Sequence, residues 1–232
     1  MKLEEFIDAC GKQGLELSSQ QIQQYCRYAE LLKEWNQKMN LTAIVEFEEV
    51  LDKHFYDSLL PSFTTEISGH LCDVGSGAGF PSIPLKIAYP ELKITILEPL
   101  KKRVLFLEEV KHELGLDGVH CLDVRAEDYA VKNRETFDVV TARAVANLNM
   151  LAELCIPLVK KGGIFLAMKG SSGNEEHASA LQAVTKLGCV LEKVETRTLL
   201  DGSSRINLFY RKEKETPKGY PRMFAKIKKN PL

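Results

Sequence analysis

The chain predicts an α/β fold: a mostly parallel sheet, preceded by an all-helical segment and closed by an antiparallel hairpin. Three observations carry this. From residue 70 onward short apolar runs alternate with helical periods, a glycine-rich turn joins the first run to the first helix, and after Gly188 two apolar runs follow one another closely. Alternation of strand and helix marks a parallel sheet covered on both faces. A connection too short for a crossover allows only antiparallel neighbours.

Taken in order, residues 3–15 read as a short helix ending near Gly14. Ser18 and Gln21 make a capping box. Ile22, Tyr25, Ala29, Leu32, Trp35 and Met39 then recur at three- and four-residue spacing, predicting an amphipathic helix of about six turns. Asn40-Leu41-Thr42 interrupts it, and Phe47, Val50, Leu51, His54, Phe55, Ser58 and Leu59 restart the period as far as Pro61. Residues 1–62 are thus expected to be a helical extension and residues 63–232 the main domain. Strands are predicted at 71–74, 94–97, 119–124, 137–141 and 164–168, with helices near 81–89, 101–114, 146–158 and 174–187. The helix at 100–114 places Val104, Leu107, Val110 and Leu114 on one stripe and stops at Gly115, a suitable left-handed C-cap. Segments 190–194 and 206–210 form the hairpin, bringing the expected sheet to seven strands.

A chain of 232 residues buries a substantial core. Its 44% hydrophobic and 27% charged content is that of a globular protein. The N-terminal stretch MKLEEFIDAC carries acids where a signal peptide has an apolar core, and no apolar run reaches membrane-span length, so a cytoplasmic location is expected. Six cysteines lie 16 or more residues apart, which excludes C-x-x-C metal or redox spacing. The histidines are scattered, and no metal is expected. The net charge of −1 conceals an asymmetry: residues 1–60 carry a balance of −5 and residues 205–232 one of +7. The basic C-terminal end suits a polyanion.

Residues 71–84 read LCDVGSGAGFPSIP. Asp73 precedes three alternating glycines, Gly75, Gly77 and Gly79, with Ser76 between the first two. Glycines there let the backbone take positive φ and let a ligand lie against the main chain beside the helix start. The spacing G-x-G-x-G differs from the dinucleotide fingerprint, and no Gly-Lys-Ser/Thr follows, so both phosphate readings weaken. Glu98 closes the next strand where an acid meets ribose hydroxyls in such folds. The residues just after the other strands are also polar or charged: Arg125 to Asp128, Thr141 to Arg143, and Lys169 with Gly170. Arg143, directly after a buried strand, requires an anion: a ligand carboxylate, an internal acid or an RNA phosphate.

The loop resembles motif I of class I S-adenosylmethionine (SAM) methyltransferases. The ordered set WNQKMNLTA, DSLLP, DVGSGAGFPSIPL, VRAED, VVTARAV and a C-terminal YPR extends the match along the chain to the RsmG (GidB) family. The resemblance implies a Rossmann-like methyltransferase that transfers a methyl group from SAM to N7 of a guanine in small-subunit (16S) ribosomal RNA, acting on the RNA or the small ribosomal subunit; a monomer with no membrane partner is expected. It implies SAM contacts from Gly75, Phe80, Ala126, Glu127 and Arg143, which join Asp73, Ser76, Gly77, Gly79 and Glu98 of the cradle. Pro99 and Ser82 depart from the family pattern, which has smaller residues there; neither removes a donor. Arg143, Lys169, Arg205, Arg222, Lys226 and Lys229 are expected to form the RNA-facing rim. Guanine N7 has a free lone pair and no proton to lose, so no catalytic acid or base is expected, and catalysis rests on proximity and water exclusion. The target base is expected to be unpaired or extruded. A non-catalytic SAM-binding ribosome assembly factor stays open as an alternative; an NAD-dependent oxidoreductase is opposed by the position of Gly79 and by the terminal hairpin.

Overall fold

The computed structural model describes residues 1–232. Helix α1 (Leu3–Lys12) leads into α2 (Ser19–Asn36), which starts at the expected box: Ser18 Oγ accepts from the Gln21 amide at 3.3 Å, and Gln21 Oε1 accepts from the Ser18 amide at 2.8 Å. The helix is 18 residues long, shorter than its periodicity suggests. Asn36 ends it by folding its Oδ1 onto the amides of Leu41 and Thr42, at 2.8 and 3.0 Å. The restarted period is one helical stretch of unequal pitch: α3 (Phe47–Val50), a π-helical turn (Leu51–Tyr56) and α4 (Asp57–Leu59). π-Turns concentrate at functional sites because the extra residue re-aims side chains.

The main sheet comprises β1 (His70–Val74), β2 (Lys93–Leu97), β3 (Val119–Leu122), β4 (Phe137–Arg143), β5 (Val159–Lys169), β6 (Cys189–Thr198) and β7 (Ser204–Lys212), in the order β3-β2-β1-β4-β5-β7-β6. All neighbours are parallel except β7, which is antiparallel to both β5 and β6. Strand order reverses between β1 and β4, the point at which open α/β sheets form their ligand crevice. Helices α5 (Ser82–Ala88), α6 (Lys101–Leu114), α7 (Ala126–Ala130), α8 (Leu148–Cys155) and α9 (Gly173–Lys186) connect the strands, and α10 (Phe224–Lys229) follows the hairpin. Gly115 ends α6 in the left-handed conformation, at φ 62°.

Side chains alternate across the sheet, so Leu71 and Cys72 face different cores. On one face, Phe6, Tyr25, Tyr28 and Phe55 of the N-terminal helices pack with Leu71, Ile83, Ile94, Ile96 and Leu107 in a single cluster. Burial of each such side chain contributes about 1.5–3 kcal/mol. Helix α2 is also tied down by polar tips. The Tyr25 hydroxyl donates to the Pro84 carbonyl at 2.8 Å, the Tyr28 hydroxyl to the Ala78 carbonyl, Gln21 to the Ile87 and Ala88 carbonyls, and Gln24 to the Leu114 carbonyl at 2.7 Å. The opposite face carries α7, α8 and α9, with Cys155 fully buried and its thiol pushed up by that burial. No helix is long and apolar enough to cross a membrane.

Candidate functional site

The glycine turn after β1 is held from below by Asp73. Its carboxylate is fully buried, with Oδ2 accepting from the Ser82 amide at 3.2 Å, while Oδ1 and the hydroxyls of Ser76 and Ser82 have no partner. Burial pushes the Asp73 carboxyl up to about 7, only partly offset by Ser82 and the charge of Arg143. Glu98, 1% exposed, spans the turn: Oε2 accepts from the Gly77 amide at 3.0 Å and Oε1 from the Leu100 amide at 3.0 Å, with Arg103 at 3.7 Å. Gly75 has φ 69°, and a Cβ there would lie 2.9 Å from Val145 Cγ2. At Gly77 (φ 62°) a Cβ would meet only Arg103 Nη1, at 3.9 Å, so this glycine borders open space.

Beyond the turn lies a cavity of about 350 Å³ between the ends of β1, β2 and β4 and the start of α7. Leu97, Pro99, Leu100, Ala126 and Leu154 give it apolar walls, and its charged lining pairs Glu98 and Glu127 with Arg103 and Arg125. Glu127, 6% exposed, is raised from the ordinary carboxylate range by burial. Phe224 completes the lining.

A second cavity of about 370 Å³ opens on the other side of the β4 end, with Lys53, His54, Asp57, Arg143, Lys169 and Arg205 in its wall. Of the anions that could face the half-buried Arg143, an internal acid makes the contact. Arg143 Nη1 donates to Asp57 Oδ2 at 2.8 Å and to the Lys53 carbonyl at 3.2 Å, and Arg205 Nε lies 3.1 Å from Asp57 Oδ1. His54 Nδ1 accepts from Arg143 at 3.2 Å, so Nε2 is left to donate to Thr42 Oγ1 at 3.0 Å. Burial first, and the Arg143 charge second, depress His54 to about 3 and keep it neutral. Its ring stacks on Phe80 at 4.3 Å. The two cavities meet at Ala144, which lines both and holds φ 57°. A non-glycine residue in that region stores strain that the surrounding packing must hold.

Among the residues singled out from the sequence, Gly75, Glu98, Ala126 and Glu127 share the first cavity, and Asp73, Ser76, Gly77 and Gly79 frame its turn. Phe80 points its side chain elsewhere, against His54, Tyr28, Phe55 and the Arg143 guanidinium. Arg143, Lys169 and Arg205 line the second cavity. Lys169 is engaged there, 2.6 Å from Glu176 and donating to the Ala146 carbonyl at 2.7 Å. Arg222 turns inward on fully buried Glu153, with Nη2 to Oε2 at 2.6 Å. Lys226 and Lys229 are exposed on α10, away from the Arg143 cluster. Sequence reasoning missed Lys53, His54 and Asp57, although Asp57 opens the quoted DSLLP stretch, and it missed Phe224 inside what reads as a basic tail.

Comparison with known proteins follows the same lines. The family model described as GidB, rRNA small subunit methyltransferase G, matches residues 21–203. A relative named ribosomal RNA small subunit methyltransferase G from Lysinibacillus sphaericus is 48% identical over 237 residues, covering 100% of both chains. The protein of the same name from Staphylococcus epidermidis is 48% identical over 236 residues, covering 100% of this chain and 99% of its own. Among solved structures, M. jannaschii TYW2 in complex with AdoMet superposes with a TM-score of 0.56 at 16% identity, over 68% of this chain and 76% of that one, a likeness of fold. The seven-stranded sheet with one antiparallel strand is the class I methyltransferase fold. With the family model spanning most of the chain and full-length relatives at 48% identity, the chain belongs to the GidB family, rRNA small subunit methyltransferase G.

Proposed function

We propose that the protein is a SAM-dependent methyltransferase acting on N7 of a guanine in 16S ribosomal RNA. The observation that carries this reading is the pair of cavities meeting at Ala144, one largely apolar with Glu98 and Glu127 beside the glycine turn, the other rich in cations. The first suits SAM. Glu98 and Glu127 offer carboxylate acceptors for ribose hydroxyls and an amino group, and below the turn Asp73 Oδ1 and Ser76 Oγ are buried and unpartnered. Asp73, Gly75, Ser76, Gly77, Gly79 and Glu98 would hold the ribose and amino-acid parts, and Ala126 and Glu127 the adenine. SAM supplies an electrophilic methyl on a sulfonium.

The second cavity is the proposed acceptor site, with Arg143 and Arg205 fixed by Asp57 so that their charge is placed before substrate arrives. A preformed array costs little reorganisation when an anionic substrate docks. The chain needs to orient guanine N7 toward Ala144 and exclude water; no side chain has to take a proton. Arg143 would touch both ligands, and Lys169, Arg205, Lys226 and Lys229 would meet the RNA backbone. Residues 1–62 are proposed to act as a helical extension that supports the cradle, and the enzyme is proposed to be a cytoplasmic monomer without a metal. The test is methyl transfer from labelled SAM to 16S rRNA and to small subunits lacking the modification, followed by nucleoside analysis. 7-Methylguanosine is expected; label on another base would refute the acceptor assignment, and SAM binding without transfer to either substrate would favour a non-catalytic role.

A further inference from the structure

The C-terminal segment reads as a basic tail, yet the chain folds it back over the largely apolar cavity beside the glycine turn. Three anchors hold it. Arg222 forks onto Glu153 of α8, Ile227 is fully buried in the core beside α8, and Asn149 Nδ2 donates to the Leu232 carbonyl at 2.8 Å. Arg134 adds bonds to the carbonyls of Thr216, at 2.7 Å, and Tyr220. Between these anchors Phe224 projects into the cavity lining as the only aromatic side chain there; the other apolar walls are aliphatic. The Arg125 guanidinium, at the start of α7, sits 4.7 Å from the Phe224 ring centre and fixes its position. Both anchors and ring are therefore built on α7 and α8, the same elements that supply Ala126, Glu127 and Leu154 to the cavity.

We propose that Phe224 is a cofactor-binding residue: its ring is the aromatic wall against which the adenine of SAM binds, with Arg125 as its positioning residue. The C-terminal segment is then a clamp that completes the cofactor site, in addition to any contact its lysines make with RNA. This rests on the reading of the cavity as the adenosine site. The chemistry agrees, since a purine presents flat, apolar, polarisable faces, and an aromatic ring is a favourable partner for them whatever the purine's edge contacts.

The experiment is calorimetry of SAM and S-adenosylhomocysteine binding to the full chain. Phe224→Ala is expected to raise both dissociation constants on the order of tenfold, the loss that follows removal of an aromatic partner from a base. Phe224→Trp should restore affinity, and its added indole fluorescence should change on ligand binding; Lys218→Ala, exposed on the same C-terminal segment, should bind as wild type. If Phe224→Ala proves unstable, Phe224→Leu keeps the apolar bulk without the ring and should still bind less tightly than Phe224→Trp. Wild-type affinity in Phe224→Ala, or an indole signal indifferent to SAM, would overturn the proposal. Failure of the wild-type chain to bind SAM, or undiminished affinity in Gly77→Val, would instead remove the reading of the cavity on which it rests.

Discussion

Arg222→Ala is expected to destabilise the protein by about 3 kcal/mol, because it leaves a fully buried carboxylate without its counter-charge. Glu153 is 0% exposed and takes Arg222 Nε at 2.8 Å on Oε1 and Nη2 at 2.6 Å on Oε2, while the Arg222 side chain is 24% exposed. Removing one partner of a buried ion pair costs about 3–5 kcal/mol, much of it the desolvation of the group left behind. The Arg222 backbone amide, 2.8 Å from Glu153 Oε1, survives the substitution and keeps the loss near the lower bound. For a chain of this size each kcal/mol moves the melting midpoint by about 2–4 °C, so a fall of about 6–12 °C is expected in the ligand-free protein. Thermal melts and urea unfolding measure it. Replacing both residues by leucine should recover most of the loss, since the desolvation penalty leaves with the charge. An Arg222→Ala melt within experimental error of wild type, with a flatter salt dependence of RNA binding, would refute the inward assignment and return Arg222 to the RNA surface.

Gly77→Val should leave the fold intact apart from about 1–2 kcal/mol of backbone strain and abolish SAM binding by calorimetry, because its side chain enters open space by the cradle; retained affinity would take the turn out of the site. Asp73, held at about 7 against an ordinary 3.8, binds its proton in the native state before the unfolded chain does. Its contribution to stability is therefore fullest below about 4 and is lost as pH rises through 7. Asp73→Asn should remove up to about 1.4 kcal/mol per pH unit of this downward slope, read by urea unfolding from pH 4 to 7; an unaltered slope would show that another group causes it. Neutralising Lys226, Lys228 and Lys229 together should leave SAM affinity unchanged and lower the salt slope of RNA binding by about 0.7–0.9 for each phosphate that no longer meets a lysine. Equal losses on 16S and unrelated RNA would make them a general polyanion anchor.

What could be read from the sequence is what local chemistry dictates. The capping pair Ser18 and Gln21 and the C-cap Gly115 each act within a few residues of themselves and appear where expected; each expected strand is also present, although β5 begins at Val159 rather than 164 and β3 ends at Leu122 rather than 124. The hairpin strands run longer than their apolar cores, as β6 (Cys189–Thr198) and β7 (Ser204–Lys212) extend to a tight turn in which Asp201 Oδ1 accepts from the Ser203 amide at 2.9 Å. The helix expected at 146–158 divides into α8 and a 3-10 turn, Ile156–Leu158, because Pro157 has no amide to continue the ladder. What escaped depends on pairs brought together by topology. Arg143 meets Asp57 across 86 residues and Arg222 meets Glu153 across 69, and nothing in the spacing of either residue names its partner. The strand-end rule found Arg143 but had no means of finding His54 or Asp57, which reach the same cavity from a helix. Phe224 was hidden by the lysines around it, which make its segment look like solvent-exposed charge.

The bonds from α2 to the glycine turn and to α5 and α6 also bear on how the protein is made. Helix α2 leaves the ribosome early, but the carbonyls that Tyr28, Tyr25 and Gln24 must reach are synthesised 50, 59 and 90 residues later. Until then Tyr25, Tyr28, Leu31 and Leu32, all at most 1% exposed in the finished protein, have no sheet to pack on. An amphipathic helix waiting for distant partners is open to misassociation during synthesis. The order of translation therefore opposes the order of packing: helix α2 is made before the sheet, yet it can be locked only after the methyltransferase sheet has begun to close.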